Sequence, residues 1–203
     1  MKRFAFIDVP NTTGTTRECL DFHISWERLY SFLTNEKWNC EMVFFYKGYK
    51  GYKGEKEKEQ LLEKLGKDIG YEVRTKPTHI HPDKEKDLIV KCDSCGVDFI
   101  HKYIINGNQK SNCDVELTVD ALNVLKEGDE ALIFTGDGDF SYLIRNLLEK
   151  KNTVLIVSSQ KRNKRGDRRF STRLRSILRE EGQESKRVRF LEINRWKANI
   201  ESS

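Results

Sequence analysis

Residues 131–143 read Ala-Leu-Ile-Phe-Thr-Gly-Asp-Gly-Asp-Phe-Ser-Tyr-Leu, and this stretch decides the fold. Ala131 to Phe134 is a short unbroken apolar run, the pattern of a strand buried on both faces. Thr135 to Asp139 interrupts it with two glycines and two carboxylates, and helical spacing resumes from Phe140 to Lys150. The segment therefore reads as strand, tight turn and helix N-terminus. Ligands in open α/β sheets collect beyond the carboxyl ends of strands, so Asp137 and Asp139 stand where chemistry is done. Taken alone, Asp139 serves equally well as an N-cap for the helix that follows.

Outward from this turn the rhythm repeats. Upstream, residues 112–125 form a helix opened by Asp114, with Val115, Val119 and Leu122 as the expected buried stripe. Downstream, Thr153 to Ser158 is a fifth strand, Ser171 to Glu180 a helix and Val188 to Ile193 a last strand. At the other end, Arg3 to Val9 (RFAFIDV) is a strand carrying Asp8 at its close. Pro10 to Gly14 reads as a loop, Asp21 to Asn35 as a helix, and Glu41 to Tyr46 as the second strand. Residues 47–54 (KGYKGYKG) are a basic loop of low complexity, where Tyr49 and Tyr52 are candidates for stacking on bases. Glu55 to Gly70 is a helix through Leu61, Leu62 and Leu65, and the third strand begins at Tyr71. Strands alternating with helices predict the α/β class, with a central parallel sheet flanked by helices.

Residues 76–111 break that alternation and read as an insertion, a Cys/His-containing loop or hairpin. Apolar runs around Phe99 to Ile105 suggest a hairpin turning at Asn106-Gly107. Cys92-x-x-Cys95-Gly96 has the spacing of half a zinc knuckle. A structural zinc needs four ligands. His79 and His81 can supply the rest, since residues two apart on extended chain point the same way, and Cys113 is another candidate fourth ligand. The other reading is free thiols in a loop packed on the sheet. Both stay open.

The chain has 203 residues, 34% charged and 37% hydrophobic, which suits one domain carrying an insertion. Its net charge of +5 is modest, but residues 160–179 hold nine Lys or Arg against one Asp. A cluster that dense implies a polyanion, and nucleic acid fits better than a membrane surface. Residues 160–203 are thus a basic C-terminal part, with Lys161, Arg162, Lys164, Arg165, Arg168, Arg169 and Arg173 as candidate phosphate-backbone contacts. Only four apolar residues separate Met1-Lys2-Arg3 from Asp8, and no apolar run approaches eighteen residues. The expectation is a cytoplasmic chain with reduced thiols and no membrane association.

In a sheet ordered roughly 3-2-1-4-5, strands one and four are neighbours, so Asp8 and Asp137 end at one edge. Asp114, at a helix start, can close over the same edge. Carboxylates crowded together repel one another and take up protons unless a cation neutralises them. Mg²⁺ or Mn²⁺, which prefer oxygen ligands, suit such a site and can polarise a phosphodiester. Asp120 lies about 120° round the helix from Asp114; it either hydrogen-bonds the turn after strand four or faces solvent. Glu116 is assigned to compensation of the helix dipole. Asn11 is positioned to bond a phosphate or a metal-bound water, or else to form an Asx turn. Thr135 and Ser141 flank the aspartates as candidate water-orienting groups.

Phe6-Ile7-Asp8-x-x-Asn11, then Cys113-Asp114-Val115-Glu116-Leu117-x-x-Asp120, then Thr135-Gly136-Asp137-Gly138-Asp139-Phe140 resemble the motifs of the LabA-like NYN branch of the PIN-domain-like nucleases. The three occur in the family's order and at the ends of the expected elements, and the likeness covers most of the chain outside 76–111. It implies a Rossmann-like, PIN-like sheet and metal-dependent cleavage of RNA. It also implies metal-binding or catalytic carboxylates at Asp8, Asp114, Asp137 and Asp139, with Asn11 and Asp120 in support. One departure is Val9-Pro10, where the family more commonly carries small residues such as Gly-Ser.

Two functions follow for comparison. The first is a metal-dependent nuclease, an endoribonuclease in the family's manner, with water as nucleophile and RNA, single-stranded or structured, as substrate. The second is an RNA-binding regulatory protein that keeps the fold with little or no turnover. An aspartyl-phosphate enzyme is disfavoured, because Pro10 stands where its second aspartate belongs. Mg²⁺ or Mn²⁺ is the expected cofactor, structural Zn²⁺ a second one, and a homodimer is left open.

Overall fold

The computed structural model describes residues 1–49, 56–77, 79–80, 84–105, 109–110, 113–184 and 186–202. In chain order the strands are β1 (Arg3–Asp8), β2 (Met42–Tyr49), β3 (Glu72–Pro77), β4 (His79–Ile80), β5 (Lys84–Lys91), β6 (Asp98–Ile105), β7 (Gln109–Lys110), β8 (Glu130–Phe134), β9 (Thr153–Ser158) and β10 (Val188–Glu192). The helices are α1 (Val9–Leu20), α2 (Trp26–Thr34), α3 (Lys56–Lys64), α4 (Asp114–Val124), α5 (Ser141–Glu149), α6 (Thr172–Glu184) and α7 (Lys197–Ile200). Among the described residues, no helix is long and apolar enough to cross a membrane.

Six strands form one sheet in the order β10-β9-β8-β1-β2-β3, and every pairing in it is parallel. The expected order of the first five sheet strands is met, and β10 extends the sheet beyond β9. Phe6 of β1 pairs with Phe44 of β2 on one side and Ile133 of β8 on the other. A strand with neighbours on both edges and helices on both faces must be apolar at consecutive positions, which is why FAFI and ALIF read as unbroken runs.

Alternate residues then sort to opposite faces. Phe4, Phe6, Phe44, Ile133 and Ile156 pack with Leu117 of α4, Leu143 and Leu147 of α5 and Leu174 of α6. Ala5, Ile7, Phe45, Phe134 and Val157 pack on the other face with Val9 of α1 and Leu29 and Leu33 of α2. Each large side chain so buried contributes about 1.5–3 kcal/mol.

Three expectations are corrected. Residues 10–14 are helical, inside α1, and the predicted single helix over 21–35 is α2 alone. Four threonines and a glycine hide the helix from propensity. Asp8 caps it, accepting from the Asn11 backbone N–H, and Pro10 occupies the first turn, where its missing donor does no harm. The stripe of α4 is also different: Leu117 and Ala121 are buried, whereas Val115 is 67% and Val119 47% exposed. That rotation sets Cys113, Leu117, Ala121 and Leu125 against the core and leaves Asp114 beside the sheet edge. Finally, the insertion's hairpin is β5 with β6, and its turn is the Cys92–Val97 segment. Asn106-Gly107, like Tyr52, lies outside the described residues.

Candidate metal centre and nucleic-acid groove

The site forms where β1 and β8 end side by side. Thr135 Oγ1, just past β8, donates to Asp8 Oδ2 at 3.0 Å and accepts from the Asp137 N–H at 3.1 Å. Asn11 Oδ1 accepts from the Gly136 N–H at 2.7 Å. Thr12 Oγ1 lies 2.7 Å from the Asp8 carbonyl and 3.1 Å from the Phe134 carbonyl, bridging the two strand ends. Buried hydroxyls so used satisfy backbone groups that the sheet leaves open. The capping expected of Asp139 falls to Asp137, whose carboxylate accepts from the Asp139 N–H at 3.0 Å to start the short helical turn Gly138–Phe140. Ser141 opens α5 one residue later.

Asp114, Asp137 and Asp139 each offer a carboxylate oxygen, and these oxygens lie within 4.8 Å of one another. Among the described residues this is the one grouping of three or more Asp, Glu, His or Cys ligand atoms. Asp8 is set deeper and outside that trio. Burial pushes its carboxyl from 3.8 up to about 6, and the charges of Asp114 and Asp137 push in the same direction. The hydrogen bonds from Thr135 and the Asn11 N–H oppose the shift. Negative charge is thus concentrated from three chain segments at one rim. The donor set is all oxygen, which suits hard divalent cations such as Mg²⁺ or Mn²⁺.

Asp120 points elsewhere. It accepts from Tyr46 Oη and Arg74 Nε, both at 3.0 Å, joining α4 to β2 and β3 rather than to the turn after β8. Glu116 pairs with Lys76 at 3.0 Å. Neither belongs to the carboxylate trio.

Beside the trio runs a groove of about 690 Å³, lined by Asn11, Gly136, Asp137, Asp139, Arg165, Arg168, Arg169 and Arg173 among others. The Ser171 N–H donates to the Gly136 carbonyl at 2.9 Å, and a Cβ on Gly136 would lie 2.4 Å from the Arg169 carbonyl. Only glycine lets the basic loop approach the acidic turn this closely. Of the predicted phosphate contacts, Arg165, Arg168, Arg169 and Arg173 line this groove, and Lys161, Arg162 and Lys164 do not. Arg169 also pairs with Glu18 at 2.9 Å, and Arg173 stands 3.5 Å from Asp139. Glu18 and Ser171 escaped the sequence reading. No motif marks them, and only tertiary contact brings them to the groove.

Cys92 and Cys95 lie at the tip of the β5–β6 hairpin. His79, on β4, stands at the open end of that hairpin, so the eight residues of β5, roughly 25 Å of extended chain, separate it from the cysteines. His81 and the side chain of His79 lie outside the described residues. Cys113 is buried in the core at the start of α4.

The profile of the NYN domain family matches residues 4–177. A stretch of 57 residues is 39% identical to low amplitude and bright protein LabA of Synechococcus elongatus, covering 27% of this chain and 31% of that protein. The match thus spans about a third of the relative's length. Among solved structures, phosphofructokinase-2 from Escherichia coli in complex with potassium aligns over 80% of this chain and 57% of its own, at 15% identity and a TM-score of 0.37. A likeness that loose carries no functional argument.

Proposed function

The chain belongs to the NYN domain family, a PIN-like nuclease family, and from that premise we propose that it is a metal-dependent ribonuclease. The observation that carries the reading is the trio Asp114, Asp137 and Asp139, brought within 4.8 Å from two separate motifs. In this reading the trio holds Mg²⁺ or Mn²⁺. A cation bound there would lower the pKa of a water molecule and neutralise charge on the phosphodiester.

The chain's own groups have separate tasks. Thr135 and Asn11 fix the acidic turn against the end of β1, so the carboxylates are held before substrate arrives. Asp8 adds charge from beneath and orients Thr135. Arg165, Arg168, Arg169 and Arg173 take the RNA backbone along the groove, each supplying donors that match phosphate oxygens. Five free thiols fit a reducing, cytoplasmic setting.

The test is cleavage of labelled RNA by the full chain with Mn²⁺ or Mg²⁺ and again with EDTA, beside Asp137→Asn. We expect metal-dependent cleavage, lost by at least ~100-fold in the variant, with RNA affinity changed less than ~3-fold. Binding without metal-dependent cleavage in the unsubstituted chain would favour the RNA-binding regulatory alternative. Cleavage indifferent to both EDTA and Asp137→Asn overturns the assignment.

A further inference from the structure

The cysteine pair at the hairpin tip takes no part in the carboxylate site, and its geometry is that of a metal knuckle. The Cys92 N–H donates to the Val97 carbonyl at 2.9 Å, and the Gly96 N–H donates to the Cys92 carbonyl at 2.8 Å. Gly96 supplies the left-handed corner, φ +72°, that this tight reversal needs. The backbone N–H groups of Cys95 and Ser94 bond to the Cys92 sulfur. Amides aimed at a sulfur two and three residues back are what a thiolate ligand requires around it.

Among the described residues, one chain supplies only half of the ligands. A structural zinc is four-coordinate and tetrahedral. Among the described residues no third ligand lies with Cys92 and Cys95. His79 is at the far end of β5, and Cys113 is buried under α4.

The hairpin exposes apolar residues on both faces. By strand alternation Cys92 shares a face with Lys86, Leu88 and Val90 and, across the register, with Val97, Phe99, His101 and Tyr103. Leu88, Val97 and Phe99 are each at least half exposed. The opposite face exposes Ile89, Ile100 and Ile104 among Asp87, Lys91, Asp98 and Lys102. Among the described residues, the substantial contacts of β5 and β6 are with each other. A lone two-stranded hairpin is marginal in water, so an apolar face continuous with two unsaturated ligands calls for a partner that brings both cover and thiols. A second copy of the same hairpin does so.

We propose that Cys92 and Cys95 are half of a structural zinc site, completed by the same two cysteines of a second copy of this chain. Four thiols release their protons to solvent as they bind Zn²⁺, with no change of oxidation state. The proposal is independent of the nuclease reading. Full-length protein purified without chelator should be a dimer holding about 0.5 zinc per chain. Cobalt in its place should give the absorption of a tetrahedral four-thiolate centre. Strong chelator, or Cys95→Ser, should yield monomers with an unchanged circular dichroism spectrum. Zinc below about 0.1 per chain, one zinc per monomer, a Cys92–Cys95 disulfide in the purified protein, or a dimer indifferent to both chelator and Cys95→Ser would each overturn it.

Discussion

Asn11 Oδ1 receives the Gly136 backbone N–H at 2.7 Å, across 125 residues of sequence. One side chain in the first turn of α1 thus holds the backbone of the acidic turn after β8. The neighbouring Thr135–Asp8 bond repeats the tie from the other direction. Asp137 and Asp139 are consequently anchored to the strand ends, not suspended on a free loop.

Removing that anchor should loosen the site without touching its ligands. Asn11→Ala leaves the part-buried Gly136 N–H unpaired, which destabilises the fold by about 1–2 kcal/mol. Cleavage rate at saturating metal and RNA should fall at least ~10-fold while RNA affinity holds, because the geometry and not the charge is lost. Urea denaturation and single-turnover cleavage check the two halves. A variant as stable and as fast as the parent would show that the bond is incidental.

Asp120 should separate from the other aspartates in mutagenesis. Its carboxylate serves the Tyr46 hydroxyl and Arg74, so Asp120→Ala strands a buried donor and should cost about 1–3 kcal/mol of stability. At a temperature where the variant stays folded, its metal-dependent cleavage should remain within ~3-fold of the parent. A large fall in rate with intact stability would return Asp120 to the site.

Asp8 predicts a pH dependence. Its folded carboxyl, raised to about 6 from 3.8, binds a proton more tightly than the unfolded chain does. The stability this gives is complete below about 3.8 and is lost as pH rises through about 6. Asp8→Asn should therefore stabilise the metal-free protein at pH 8, by on the order of 2 kcal/mol, and do nothing near pH 4. Denaturation in EDTA at the two pH values checks this. Equal effects at both would mean that the buried charge is relieved some other way.

Salt titrations should sort the basic residues. Each arginine that neutralises a phosphate of single-stranded RNA contributes about 0.7 to the slope of log K against log salt. Arg165→Ala and Arg168→Ala, in the groove, should each lower the slope by about that amount, and Lys161→Ala should leave it unchanged. If Lys161→Ala lowers the slope as much, the RNA does not follow the groove.

The sequence by itself determined the sheet and the identity of the acidic motifs. FAFI and ALIF announce strands buried on both faces, and the strands that frame Asp8 and Asp137 are adjacent in the order expected. What it hid was whatever depends on contact at a distance. α1 looks like a loop because its threonines are poor helix formers, yet Thr12 spends its hydroxyl on backbone carbonyls of two strands. α4 shows apolar residues on more than one side, and only the position of the sheet decides that Leu117 faces inward and Val115 outward. That same rotation brings Asp114 to Asp137 and Asp139 while turning Asp120 to Tyr46. Periodicity records which residues can share a face; the packing partner chooses which face is buried, and with it which carboxylates meet.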